Sequence, residues 1–148
     1  MSQVSPAIRI LIADDHALMR AGIRTILATN CRWQVCGEAE DGRNAVDKVQ
    51  ELKPDLVILD ISMPRLNGIL AAREIRSLAP PTKIIILTMH ESPQLELTAR
   101  QVGADAVITK RMAADSLVGA IESLFDGRYS GPDSVVQGLE IDRSPRTK

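Results

Sequence analysis

Residues 56–60 read Leu56-Val57-Ile58-Leu59-Asp60, four aliphatic side chains in a row and then a carboxylate. A strand wetted on one side alternates apolar with polar residues. An unbroken aliphatic run suits a strand covered on both faces, as in a parallel sheet between helices. Ile84-Ile85-Ile86-Leu87, within residues 83–88, repeats the pattern. Outward from these two, further strands are expected at 8–13, 34–39 and 106–109, which makes the run at 56–59 the third of five. Between the strands the period changes. Met19, Ile23, Ile26 and Leu27 fall at i, i+4, i+7 and i+8 and share one helix face. Leu117, Ile121, Leu124 and Phe125 repeat that spacing in a last helix that starts at Ala114 or Asp115. Residues 43–52 and 68–78 read as helices through Ala45, Val49 and Leu52, and through Ile69, Ala72 and Ile75. A further helix over 93–102 opens on Pro93 and stops before Gly103. Such alternation with short connections predicts right-handed βαβ units. The fold class is α/β: a doubly wound five-stranded parallel sheet in three layers, with helices on both faces.

The chain has 148 residues, a formal net charge of −1 and a hydrophobic fraction of 45%, yet Trp33, Phe125 and Tyr129 are its only Trp, Phe and Tyr residues. That length suits one domain with an aliphatic core. A near-neutral charge argues against a nucleic-acid surface over the whole domain, and three rings provide no stacking platform for single strands. Cys31 and Cys36, with only His16 and His90 to join them, make a poor zinc signature and read as two reduced, ordinary thiols. No run approaches the ~18 apolar residues of a membrane span. Residues 1–7 lack the basic and apolar regions of a signal peptide, so a cytoplasmic protein with no membrane contact is expected. After Gly127 the character shifts to turn chemistry at Ser130-Gly131-Pro132-Asp133-Ser134. The domain is expected over 8–127, with 128–148 a linker or disordered tail and no folded output domain.

In an open parallel sheet, ligands bind beyond the carboxyl ends of the strands, near a topological switch point. The first expected strand ends in Asp14-Asp15, the third in Asp60, the fourth in Thr88 and the fifth in Lys110; the second ends at Glu38-Ala39-Glu40 with no evident reactive group. An acid after a strand is commonly a helix N-cap, a role open to Asp15. Three carboxylates forced together are another matter. A like-charged pair at ~4 Å costs about 4 kcal/mol at an effective dielectric of 20, so the arrangement calls for a cation. Oxygen ligands in small number suit Mg²⁺, which keeps its waters and bridges to phosphate. Thr88 and Lys110 could then hold phosphoryl oxygens, and Asp60 could be the acceptor. Without Mg²⁺, at least one of Asp14, Asp15 and Asp60 is expected to have a raised pKa through like-charge repulsion. No glycines follow the first strand to admit a pyrophosphate, and neither a GxxxxGK[ST] loop nor a Gly-x-Ser-x-Gly elbow occurs. His16 and His90 are placed on the rim of the site or in solvent.

Ile-Ala-Asp-Asp-His at 12–16, Leu-Asp-Ile-Ser-Met-Pro at 59–64, Gly68, Thr88 and Lys110 together resemble the receiver domain of a bacterial two-component response regulator. Residues 14–22 and 37–42 further resemble its NarL/FixJ branch. The resemblance spans roughly residues 8–127 and implies a flavodoxin-like strand order of 2-1-3-4-5. It implies that Asp60 takes a phosphoryl group from the phosphohistidine of a sensor histidine kinase. It further implies that Asp15, Asp60 and the backbone carbonyl of Ser62 ligate Mg²⁺, with Asp14 acting mainly through a bound water. Thr88 and Lys110 would contact the phosphoryl group, and Thr88 would move inward as the surface around 89–112 changes. Such a domain is a phosphoacceptor with self-catalysed transfer and slow autodephosphorylation, not a turnover enzyme. In a transcriptional regulator it could form a homodimer on phosphorylation and reach DNA only through an output domain, which is missing here. The chain is then either a stand-alone receiver or one cut in a linker, and a tail beginning just after the last helix favours the second. Two positions depart from the family pattern. The switch residue three before the lysine, commonly Tyr or Phe, is Val107, and the proline that often follows the lysine is Arg111. Two other readings compete: a docking pseudo-receiver that is never phosphorylated, and an aspartate-nucleophile phosphatase of the haloacid-dehalogenase type. The latter usually carries Asp where Ser62 stands.

Overall fold

The structure, a computed structural model, describes residues 7–125. Its elements run β1 (Ile8–Ala13), α1 (Ala17–Leu27), β2 (Trp33–Ala39), α2 (Gly42–Leu52), β3 (Leu56–Asp60), α3 (Gly68–Leu78), β4 (Lys83–Thr88), α4 (Pro93–Gln101), β5 (Ala106–Thr109) and α5 (Ala113–Phe125). A single 3-10 turn, Lys110–Met112, joins β5 to α5. The sheet is parallel throughout, in the order β2-β1-β3-β4-β5.

Each central strand feeds two cores, because successive side chains point to opposite faces. Leu11, Val57, Leu59, Ile84 and Ile86 meet Ala45, Val49, Ala72, Ile75 and Ala99 of α2, α3 and α4. Ile10, Ile12, Leu56, Ile58, Ile85 and Leu87 meet Ile23 and Leu27 of α1 and Leu117 and Ile121 of α5. Every residue of β3 is buried, as its unbroken aliphatic run requires.

The boundaries differ from the sequence reading by a residue or two. β2 begins at Trp33, which pairs with Ile8 at the end of the sheet where β1 starts. A bulge follows: Ile10 faces Val35 and Leu11 faces Gly37, so Cys36 is the extra residue. α2 starts at Gly42 because the Asp41 side chain accepts from the Asn44 N–H; Asn67 and Ser92 cap α3 and α4 in the same way. Pro93 opens α4, and Gly103 follows its end at φ 114°, in the left-handed region. α5 begins at Ala113, one or two residues early, because the 3-10 turn carries the chain straight into it. Phe125 is half-buried against the α1/α5 core. The tail at 128–148, the boundary at 127 and Tyr129 lie outside the described residues. Among the described residues no helix is long and apolar enough to cross a membrane.

Candidate functional site

β1, β3, β4 and β5 all run parallel, so their carboxyl ends open on one edge of the sheet. Asp14 follows β1, and Asp60 is the last residue of β3. Thr88 ends β4 one residue beyond Leu87, the partner of Asp60, and Thr109, the partner of Thr88, immediately precedes Lys110. Backbone register alone therefore brings the candidates together.

The side chains complete the grouping. Lys110 Nζ lies 3.0 Å from Asp14 Oδ2 and 3.1 Å from Asp60 Oδ1. Asp14 is fully buried and Asp60 is 1% exposed. One ligand atom from each of Asp14, Asp15, His16 and Asp60 lies within 4.8 Å of the others. Two carboxylates share one ammonium here, which leaves the pocket short of positive charge. Asp60 Oδ1 also accepts from the Ser62 N–H at 3.3 Å, whereas Asp60 Oδ2 is buried without a hydrogen-bond partner among the described residues. A buried carboxylate oxygen left unpaired is costly. A divalent cation coordinated by carboxylates would satisfy it, so the donor set fits a hard dication such as Mg²⁺.

Electrostatics follow from that crowding. Burial pushes the Asp60 carboxyl above its ordinary range, the Asp14 charge adds to the shift, and Lys110 offsets only part of it. The expected rise is thus present, but desolvation outranks the like-charge repulsion held responsible for it. Burial alone would lower Lys110; its hydrogen bonds to Asp14 and Asp60 outweigh that and hold the ammonium above its ordinary value.

Other residues fix the frame. Asp15 does not cap α1: His16 is the cap residue, and its N–H donates to Asp14 Oδ1 at 2.9 Å. Arg20 of α1 donates to the Asp14 carbonyl at 2.7 Å and to Glu38 at 2.8 Å, while Arg24 also pairs with Glu38. These two arginines hold Glu38 below the ordinary carboxylate range, although burial, the largest single influence, acts the other way. The end of β2, which looked inert, therefore anchors the end of β1. Arg65, in the left-handed region at φ 67°, donates to Asp41 at 2.9 Å and ties the loop after Asp60 to α2. A Cβ on Gly68 would lie 2.3 Å from the Asp60 carbonyl oxygen, and one on Gly42 would lie 1.7 Å from that of Leu66. Only glycine allows those approaches.

His16 stands on the rim, its side chain 69% exposed, with Nδ1 at 3.2 Å from Asp14 Oδ1 and 3.0 Å from Asp15 Oδ1. His90 is exposed. The Thr88 hydroxyl lies 3.2 Å from the His90 carbonyl oxygen, to which it donates. Val107, half-buried, lines a cleft of about 390 Å³ with Thr88, His90, Ser92 and Met112. The Lys110–Arg111 bond is trans, since no cis peptide occurs among the described residues. Cys31 and Cys36 are free.

A doubly wound parallel sheet with three strand-end carboxylates, a half-buried lysine and a threonine on one edge defines a class: α/β domains built to hold a cation and an anionic group together. Likeness to known proteins narrows the class to a family. The chain belongs to the response regulator receiver domain family, whose model matches residues 10–122. It is 36% identical over 120 residues to the transcriptional regulatory protein DegU of Brevibacillus brevis, covering 81% of this chain and 51% of that one. It is 40% identical over 116 residues to the chemotaxis protein CheY of Thermotoga maritima, covering 78% of this chain and 96% of that one. The signal receiver domain of NarL from Mycobacterium tuberculosis superposes with a TM-score of 0.78 at 31% identity, covering 84% of this chain and 100% of that one. The chain thus spans about half the length of DegU, and nearly all of CheY.

Proposed function

We propose that residues 8–127 form a phosphorylation-operated switch in which Asp60 accepts a phosphoryl group from the phosphohistidine of a sensor histidine kinase. The observation that carries this is the Asp60 carboxylate itself: buried, at a strand end, with one oxygen unpaired and the other beside Lys110 Nζ. In the transfer, a P–O bond forms to an Asp60 oxygen as the donor's P–N bond breaks, and the leaving imidazole takes up a proton. Lys110 neutralises charge on the phosphoryl oxygens, and the Thr88 hydroxyl donates to one of them after giving up the His90 carbonyl. Asp15, Asp60 and the Ser62 carbonyl would hold Mg²⁺, with Asp14 acting mainly through a water. Held there, the ion would supply positive charge to offset the carboxylates and the phosphoryl oxygens. Slow hydrolysis of the acyl phosphate resets the domain.

A delivering partner meets the exposed rim beside Lys110, where His16, Leu18, Met19, Met89 and Arg111 line a shallow depression. Thr88 and Val107 are the switch positions. With no ring at Val107, the response passes through Thr88, the 89–92 loop and the cleft beside them. Residues 128–148 are proposed to link this domain to a DNA-binding output domain in a cytoplasmic transcriptional regulator, with a homodimer forming on phosphorylation. The relative DegU is named a transcriptional regulatory protein, which supports the regulatory role.

The test is chemical. Incubation with Mg²⁺ and acetyl phosphate should give an acid-stable, base-labile phosphate that is absent from Asp60→Asn. Steady turnover of a phosphate ester would instead favour the phosphatase reading, and no adduct under any donor would favour a docking pseudo-receiver.

A further inference from the structure

We infer that His16 is a nitrogen donor to the cation site, and that it strengthens binding of borderline transition-metal dications such as Co²⁺ without strengthening that of Mg²⁺. The inference rests on the reading of Asp14, Asp15 and Asp60 as the cation site, and concerns what a fourth, softer donor does to it. His16 Nδ1 lies 3.2 Å from Asp14 Oδ1 and 3.0 Å from Asp15 Oδ1. Adjacent ligand atoms around an ion with bonds of about 2.1 Å are separated by about 3 Å, so the His16 Nδ1–Asp15 Oδ1 spacing suits one edge of a coordination shell, with Asp14 behind it acting through a water. The four donors lie within 4.8 Å of one another, and one of them is an oxygen of Asp60, whose Oδ2 is buried and unpaired.

The backbone fixes where the imidazole stands. The His16 N–H donates to Asp14 Oδ1, and His16 caps α1 with extended geometry, so its Cα is held beside the carboxylates. The ring itself is 69% exposed, and its nearest polar neighbours are the Asp14 and Asp15 carboxylates. Carboxylate oxygens only accept, so in this geometry Nδ1–H donates to them; with its proton moved to Nε2, the ring would offer an Nδ1 lone pair to an entering ion. Mg²⁺ takes oxygen ligands and gains little from an imidazole, whereas Co²⁺, Ni²⁺ and Zn²⁺ bind nitrogen well. His16 thus separates the two cation classes without altering the carboxylates.

The experiment is isothermal titration of the chelator-stripped chain with CoCl₂ and, separately, MgCl₂, with the visible Co²⁺ absorption recorded alongside. His16→Ala and His16→Gln should each weaken Co²⁺ about tenfold or more and change the visible band, while Mg²⁺ affinity stays within about twofold. Equal Co²⁺ affinity in the parent and His16→Ala overturns the inference. So does an equal loss for both ions, which would mark a structural effect of the substitution. Asp60→Asn separates the two levels. If it weakens both ions while His16→Ala weakens neither, the carboxylate site stands and the role of His16 falls. If Asp60→Asn leaves both ions unaffected, the cation-site reading falls with it.

Discussion

Asp60 carries a charge in a place that resists it, since burial and the neighbouring Asp14 both raise its pKa. The consequence for stability has a definite sign. A carboxyl whose folded pKa lies above its unfolded value takes up protons more readily when folded. Over the window between the two values the folded state binds more protons, and its stability falls as pH rises through that window. Above the folded pKa the full cost of the buried charge is present. Without divalent cations, Asp60→Asn should therefore raise the thermal midpoint at neutral pH, and the advantage should shrink on acidification through the window. A pH series of melting curves for both chains checks it; a constant difference contradicts it. Lys110→Ala works the other way, leaving buried Asp14 and Asp60 without their shared ammonium. Loss of one partner from a buried ion pair costs about 3 kcal/mol or more, measurable by urea unfolding. The carboxylates, Thr88 and Lys110 were legible in the sequence because each sits at the end of an aliphatic run. Arg20, Glu38 and the Asp41–Arg65 pair were not. Contacts between side chains of different elements follow no period along the chain.

At the level of elements, two glycines do what no other residue could in the same backbone. Gly68 lets α3 start against the Asp60 carbonyl, and Gly42 lets α2 start against that of Leu66. Gly68→Ala and Gly42→Ala must push backbone apart, at a cost of about 2–3 kcal/mol each, and Gly68→Ala should also slow phosphorylation by shifting Asp60. Gly119 is exposed within α5, and a methyl group added there would meet no atom within 4 Å. At that position the ordinary helix preference decides, and Gly119→Ala should stabilise by about 1 kcal/mol. Denaturant midpoints for the three variants test the contrast. The helices were legible from their apolar spacing, but their first residues were not. α2 is set by the Asp41 cap and α5 by the 3-10 turn after Lys110, and apolar spacing reports neither.

Across the whole molecule, strand order explains why the chemistry gathers where it does. The chain places β2 on one side of β1 and then reverses, so β1 and β3 are neighbours at the switch point. Asp14 and Asp15 leave from one of these strands and Asp60 ends the other. Alternating runs of strand and helix imply a parallel sheet, but they do not state its order; that came from the family resemblance and agrees with the observed β2-β1-β3-β4-β5. The same edge brings Thr88 and Lys110 in from β4 and β5, and the helices bury everything behind it. One measurement bears most directly on the central claim. Intact-mass and peptide mass spectrometry after incubation with acetyl phosphate should show one phosphoryl group per chain, on the peptide containing Asp60, only when Mg²⁺ is present. No mass gain, or an equal gain in Asp60→Asn, would contradict it.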